Sequence, residues 1–161
     1  MTAGHSSPIS VLYIYALLST SLISILIGPK IYMASADVID MGSTVLHLDV
    51  ASAVNLLVYD ALSSVSGAKH GAHWLIFQRE DAETIRQWWC TKNPDYQGDI
   101  IHAQQLFINQ EILTELWEKY KVRPYSFVQQ QGQAVFVPAG CAHQVSAYAG
   151  TLHCFVASLI A

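Results

Sequence analysis

The sequence predicts a mainly β protein with inserted helices, a double-stranded β-helix or double-sheet jelly roll of cupin-like type. Three observations carry that expectation. Short apolar runs rich in β-branched residues recur along the chain, two helical patterns are interposed in its middle, and strands separated by tight turns close it. At 161 residues a single domain is the natural count, with enough chain for a substantial core.

The elements follow in order. Thr44-Val45-Leu46 leads into His47-Leu48-Asp49, and Val50 to Tyr59 continues as an apolar, partly β-branched run; together they read as two strands or one bent strand. Asp60 to Gly71 is rich in small and turn-forming residues and reads as a loop, before a strand over Ala72 to Phe77. Glu80 to Trp89 opens with acids suited to a helix N-terminus and sets apolar residues at helical spacing. Asn93 to Gly98 is a break. Asn109 can cap a second helix through Tyr120, with Ile112, Leu113, Leu116 and Trp117 on one face. Tyr125 to Gln131 reads as a strand, Gly132-Gln133 as a tight connection and Ala134 to Val137 as another strand. Pro138-Ala139-Gly140 then turns the chain into a strand beginning at His143-Gln144-Val145.

Chemistry enters with the histidines. On a strand, His47 and Asp49 stand two residues apart and share a face. His143, set directly after a Pro-x-Gly turn, would complete two imidazoles and one carboxylate on one side of a metal. That is the facial triad of non-haem Fe(II) oxygenases, which leaves open positions for co-substrate and dioxygen. The blander readings are a polar pair on a strand and a strand-start histidine bonded to a loop carbonyl. Asn55, the polar residue between Val54 and Leu56, is either satisfied by neighbouring backbone or faces the same cavity as the metal.

Several blocks, in order and at consistent spacing, resemble one family. They are Gly28-Pro29-Lys30-Ile31-Tyr32, Leu46-His47-Leu48-Asp49-Val50 with Ala53-Val54-Asn55, Asp81-Ala82 with Ile85-Arg86, Ile101-His102, and the run from Gly132 to Val145. From Gly28 to Val145 the chain resembles a Jumonji C (JmjC) domain, most closely the hairless-related subgroup of histone lysine demethylases. The resemblance implies that His47, Asp49 and His143 ligate Fe(II) and that 2-oxoglutarate is the co-substrate. It implies hydroxylation of an N-methyl group, with release of formaldehyde, on a methyl-lysine of the histone H3 tail, usually the lysine at position nine. Chromatin-associated partners and a nuclear location follow from the same likeness. Thr44 matches the position of a hydroxyl that receives the far carboxylate of 2-oxoglutarate, and His153 or Lys69 is the candidate cation; Asn55 joins them if it faces the cavity.

The ends depart from the family pattern. Ile9 to Ile27 is uncharged and of membrane-spanning length, yet it lacks a basic leading region and is interrupted by Ser10, Ser19, Thr20, Ser21 and Ser24. The chain therefore divides into an atypical hydrophobic N-terminal segment over 1–27 and a JmjC-like domain over 28–161. Membrane anchoring through residues 9–27 is the alternative to the nucleus. After Val145 the family continues into further strand and helix, whereas this sequence gives Ser146 to Thr151 and ends at Ala161. An incomplete barrel, with exposed edges, is the expectation. The alternative function is accordingly a catalytically impaired JmjC remnant that binds a metal or a partner.

Composition excludes some classes. A net charge of −4 offers no basic footprint, which argues against direct nucleic-acid binding. Cys90, Cys141 and Cys154 show no Cys-x-x-Cys spacing, so neither a disulfide framework nor a structural zinc site is indicated, and reduced thiols fit a nuclear or cytosolic compartment. Cys141 reads as a small residue in a tight turn. His70 reads as a solvated loop residue, His73 as a rim residue and His102 as a structural hydrogen-bonding group; Trp88, Trp89 and Trp117 read as core or interface residues on helical faces.

Overall fold

The computed structural model describes residues 12–15, 30–34, 44–65, 67, 70–147 and 153–160. Strands β1 (Leu12–Tyr15), β2 (Lys30–Ala34), β3 (Thr44–His47), β4 (Ser52–Asp60) and β5 (Ala72–Ile76) come first. Helices α1 (Asp81–Lys92) and α2 (Gln110–Tyr120) follow, then β6 (Tyr125–Gln129), β7 (Ala134–Val137), β8 (His143–Ala147) and β9 (His153–Ile160). The strands form two antiparallel sheets, in the orders β1-β2-β9-β4-β7 and β3-β8-β5-β6. Strands β2 to β9 thus make two facing sets of four, the jelly roll that the strand pattern predicts.

The strand expected to be lacking after Val145 is present. The apolar run His153–Ile160 forms β9, which lies between β2 and β4 and pairs with both, so this side of the larger sheet is filled. Within the segment 9–27, Leu12–Tyr15 forms β1, antiparallel to β2; the rest of that segment lies outside the described residues. No described helix is long and apolar enough to cross a membrane.

Strand alternation divides the interior into two cores. Ala53 and Leu57 of β4, Ala72, Trp74 and Ile76 of β5, and Val135 and Val137 of β7 pack between the two sheets. Leu75 and Phe77 point to the other side of the smaller sheet and pack with Ile85, Trp88, Ile101, Ile108 and Leu116, so the helical insertion covers that face. Asn109 caps α2 as predicted, its side chain accepting from the Ile112 N–H at 2.9 Å. Trp117, read as a core or interface residue, lies outside the core: it is 48% exposed, and the Lys121 ammonium stands over its ring at 5.4 Å. Trp88 is in the core and Trp89 is half-buried against it.

Two buried glutamines tie these layers together. Gln144 of β8 accepts from the Ile108 N–H at 2.7 Å and donates to the Ile108 carbonyl at 3.0 Å, which fastens the insertion to the smaller sheet. Gln129, at the end of β6, donates to the carbonyls of Asn55 at 3.0 Å and Gln133 at 2.7 Å, which links the smaller sheet to the larger.

Candidate metal centre

His47, Asp49 and His143 come together as predicted, each offering one donor atom, with all three atoms within 4.8 Å of one another. Ligands about 2.1 Å from one centre stand at most about 4.2 Å apart, so a small contraction closes the set around an ion. His47 ends β3 and lies directly opposite His143, the first residue of β8. Their ring centroids are 4.2 Å apart, and His143 Nε2 is 4.0 Å from Asp49 Oδ2.

The carboxylate arrives by a different route from the one strand alternation suggests. β3 ends at His47, so Asp49 lies in the following loop. The Gly140 N–H donates to the Asp49 carbonyl at 2.8 Å and pins that loop to the turn preceding His143. The same turn is held from two other sides. The Ala139 N–H donates to Ser52 Oγ at 3.1 Å, and the Arg79 guanidinium donates to the Ala139 carbonyl at 2.6 Å.

Both imidazoles are set for ligation by their own backbone. His47 Nδ1 meets the Val45 carbonyl at 2.8 Å, and His143 Nδ1 meets the Cys141 carbonyl at 3.0 Å. A carbonyl oxygen can only accept, so Nδ1 carries a proton in both rings, and in the neutral tautomer Nε2 is the nitrogen with the lone pair. Such outer contacts fix the tautomer and orientation of metal-binding histidines. Burial, and secondarily the neighbouring His47, holds the His143 pKa below the ordinary histidine value, which favours the neutral, ligating form.

The remaining candidates divide by position. Strand alternation sets Asn55 on the same face as Ala53 and Leu57, toward the space between the sheets, and its buried Oδ1 has no hydrogen-bond partner among the described residues. Thr44 is half-buried and pairs with Val145, which in turn pairs with Trp74. His153 pairs by register with Asp60, while Ser52 at the other end of β4 pairs with Ile160. The eight steps from Ser52 to Asp60 span about 27 Å, so the His153 backbone stands at the end of β4 remote from the triad. The His153 side chain and Lys69 lie outside the described residues.

Three other histidines have structural partners. His70 Nδ1 is 3.0 Å from Oδ2 of the buried Asp60, so it is a half-buried latch on its loop rather than a solvated residue. His73 Nε2 meets Ser126 Oγ at 2.8 Å, and burial lowers its pKa. His102 Nδ1 meets Asp99 Oδ2 at 2.6 Å, the structural role expected of it. Cys90 and Cys141 are free thiols. A groove of about 370 Å³ between α2 and β6, lined by Trp117, Arg123 and Ser126 among others, contains none of the triad residues.

Sequence reasoning missed Trp74. Its ring lies 6.0 Å from the His143 ring at an interplanar angle of 19°, and its Nε1–H donates to Gln129 Oε1 at 2.8 Å. The apolar strand pattern does not mark it; the contact with His143 depends on the β5–β8 register, in which Ile76 pairs with His143 and Trp74 with Val145.

A jelly roll with two imidazoles and one carboxylate converging beside its interior defines a class, the cupin-type barrels built for a non-haem metal ion. A family profile described as "JmjC domain, hydroxylase" matches residues 59–154, more than half of the chain, and the chain belongs to the JmjC domain family. That match contains His143 and begins after His47 and Asp49, whose assignment rests on geometry. Among relatives, the chain is 30% identical to Lysine-specific demethylase 3 of Drosophila melanogaster over 158 residues, covering 74% of this chain and 18% of that protein. It is 30% identical to Lysine-specific demethylase 3A of Homo sapiens, covering 74% of this chain and 12% of the relative. It is 28% identical to Lysine-specific demethylase JMJ26 of Arabidopsis thaliana, covering 74% and 20%. The chain thus spans a fifth or less of the length of these relatives.

Proposed function

We propose that the chain carries the catalytic barrel of an Fe(II)- and 2-oxoglutarate-dependent histone lysine demethylase, acting in the nucleus on methyl-lysine of the histone H3 tail, with the lysine at position nine as the favoured site. The observation that carries this reading is the convergence of His47, Asp49 and His143, with both Nδ1 atoms already committed to backbone carbonyls. The relatives named as lysine-specific demethylases support the substrate class. In this reading residues 28–161 are the oxygenase domain, and residues 1–27 are a separate hydrophobic segment that adds β1 to its sheet. The partners are the H3 tail and chromatin-associated proteins.

The residues present fit the metal. Two neutral nitrogen donors and one carboxylate match ferrous iron, and they leave coordination positions free. When bound, Fe(II) with 2-oxoglutarate supplies the activation of dioxygen that hydroxylates an N-methyl group, which then leaves as formaldehyde. The chain's own part is placement and exclusion of water. Asp49 offsets one positive charge, and His47 and His143 present Nε2 lone pairs in fixed directions. The unpartnered Oδ1 of Asn55 and the Thr44 hydroxyl are the polar groups we assign to the co-substrate. We leave His153 out of that seat, on the ground that its backbone pairs with Asp60, at the opposite end of β4 from Ser52. Ala53, Trp74, Val135 and Val137 keep the space between the sheets apolar.

The test is a titration followed by turnover. Purified protein should bind one Fe(II) or Mn(II). With iron it should consume 2-oxoglutarate and release formaldehyde in the presence of methylated H3 peptide. Metal binding without 2-oxoglutarate consumption would instead favour the impaired-remnant reading, and no metal binding would sink both.

A further inference from the structure

We infer that Gln129 is a positioning residue for the metal centre, acting through the Trp74 indole on His143. The inference rests on the metal-centre reading above. Gln129 is 1% exposed, and three of its side-chain contacts fix it completely. Its Nε2 group faces two carbonyls, of Asn55 and Gln133, which can only accept; the amide orientation is therefore settled and Oε1 must face Trp74. The indole has a single donor, and that donor is spent on Oε1 at 2.8 Å. The amide thereby fixes the indole's rotation about its side-chain bonds.

The indole plane set in this way lies nearly parallel to His143 on one side, at 6.0 Å and 19°. On its other side it lies nearly parallel to Phe127, at 6.4 Å and 5°. Both separations fall within the range of offset aromatic pairs. Besides the His47 ring 4.2 Å away, His143 is oriented by one hydrogen bond, Nδ1 to the Cys141 carbonyl, about which the ring can tilt. A parallel indole restricts the tilt and keeps Nε2 aimed at the space shared with Asp49 and His47. The third bond differs from those to Asn55 and Gln133 in ending on the ring beside His143, so it joins the glutamine to the centre as well as to the two sheets.

The experiment uses Co(II) as the probe in the full chain, reading both its dissociation constant and its visible absorption band, with thermal unfolding in parallel. Gln129→Met and Trp74→Phe should each weaken Co(II) binding by about 10-fold, the lower end of effects seen for outer contacts of metal ligands, and each should shift the band. The double variant should bind Co(II) no more weakly than Trp74→Phe alone, because the phenyl ring has no N–H for Gln129 to hold. Its unfolding temperature should still fall further, since the bonds to Asn55 and Gln133 are lost independently. An unchanged constant and band in Gln129→Met, or metal effects that add in the double variant, overturn the coupling and leave the metal centre intact. If Gln129→Met does not fold, Trp74→Phe decides alone, and an unaltered band and affinity overturn the proposal. Failure of the unsubstituted chain to bind Co(II) overturns the metal-centre reading and the coupling with it.

Discussion

Gly140 donates its N–H to the carbonyl of Asp49 at 2.8 Å, and this main-chain bond joins the loop that carries the carboxylate to the turn that delivers His143. Two members of the triad nearly a hundred residues apart in sequence are therefore tied together by one main-chain bond. The loop needs this anchor, because β3 ends at His47 and no strand pairing holds Asp49.

Gly140 has φ of +75°, a conformation that side-chain-bearing residues rarely adopt, and an added Cβ would stand 3.1 Å from Arg79 Nε. Gly140→Ala should destabilise the fold by about 1–2 kcal/mol. It should also loosen the turn, by displacing an Arg79 side chain that holds the Ala139 carbonyl at 2.6 Å. The expected outcome is a lower unfolding temperature together with weaker Mn(II) binding. Unchanged metal affinity would show that the turn does not govern ligand placement.

His47 is half-buried at a strand end, and its side-chain hydrogen bond is a local one to Val45. Replacing it by alanine should therefore spare the fold. Calorimetric titration of His47→Ala with Mn(II) should show affinity reduced by at least about 100-fold, the upper limit for mere outer-contact substitutions. A loss of less than that would remove His47 from the ligand set.

What the sequence made legible is what local patterns encode. The apolar run over Ala72–Ile76, the acids opening α1 and the Asn109 cap are local, and each element formed where its pattern stood. The triad was legible because the Pro-Ala-Gly turn marks where His143 begins β8. Register was not legible. It is set by pairing between distant strands, and it alone puts Trp74 beside His143 and the His153 backbone at the Asp60 end of β4. Burial of turn residues was hidden for the same reason: His70 looks solvated in a Ser/Gly-rich loop until Asp60 supplies a buried carboxylate.

Gln144 is 2% exposed and makes both hydrogen bonds of its amide with the backbone of Ile108, itself 2% exposed. Gln144→Leu would leave a buried donor and a buried acceptor without partners. At roughly 1–3 kcal/mol for each unmet buried group, partly relieved by local adjustment, the expected loss is about 2–4 kcal/mol. Urea unfolding measures it directly, and a change under about 0.5 kcal/mol would mean that water replaces the glutamine at Ile108.

Acid sensitivity should centre on Asp99. Burial works to raise its pKa, but hydrogen bonds from the Arg86 and His102 side chains and from the His102 and Ile101 N–H groups outweigh it and hold the carboxyl well below the usual carboxylate range. A carboxylate with a depressed folded-state pKa binds its proton more readily in the unfolded chain. Its stabilisation is therefore fully present above the ordinary carboxylate pKa, and it disappears as pH falls through the lower folded value. Glu115, clamped by Lys119 and Lys92, is held down to about 2 and acts in the same direction, although its exposure lets solvent and salt screen most of the effect. Asp99→Asn should thus be less stable than the unsubstituted protein at neutral pH, and the gap should close progressively from about pH 5 downward. Unfolding curves collected across that interval provide the measurement; a gap that stays constant with pH would show that Asp99 stabilises through packing and neutral hydrogen bonds rather than through its charge.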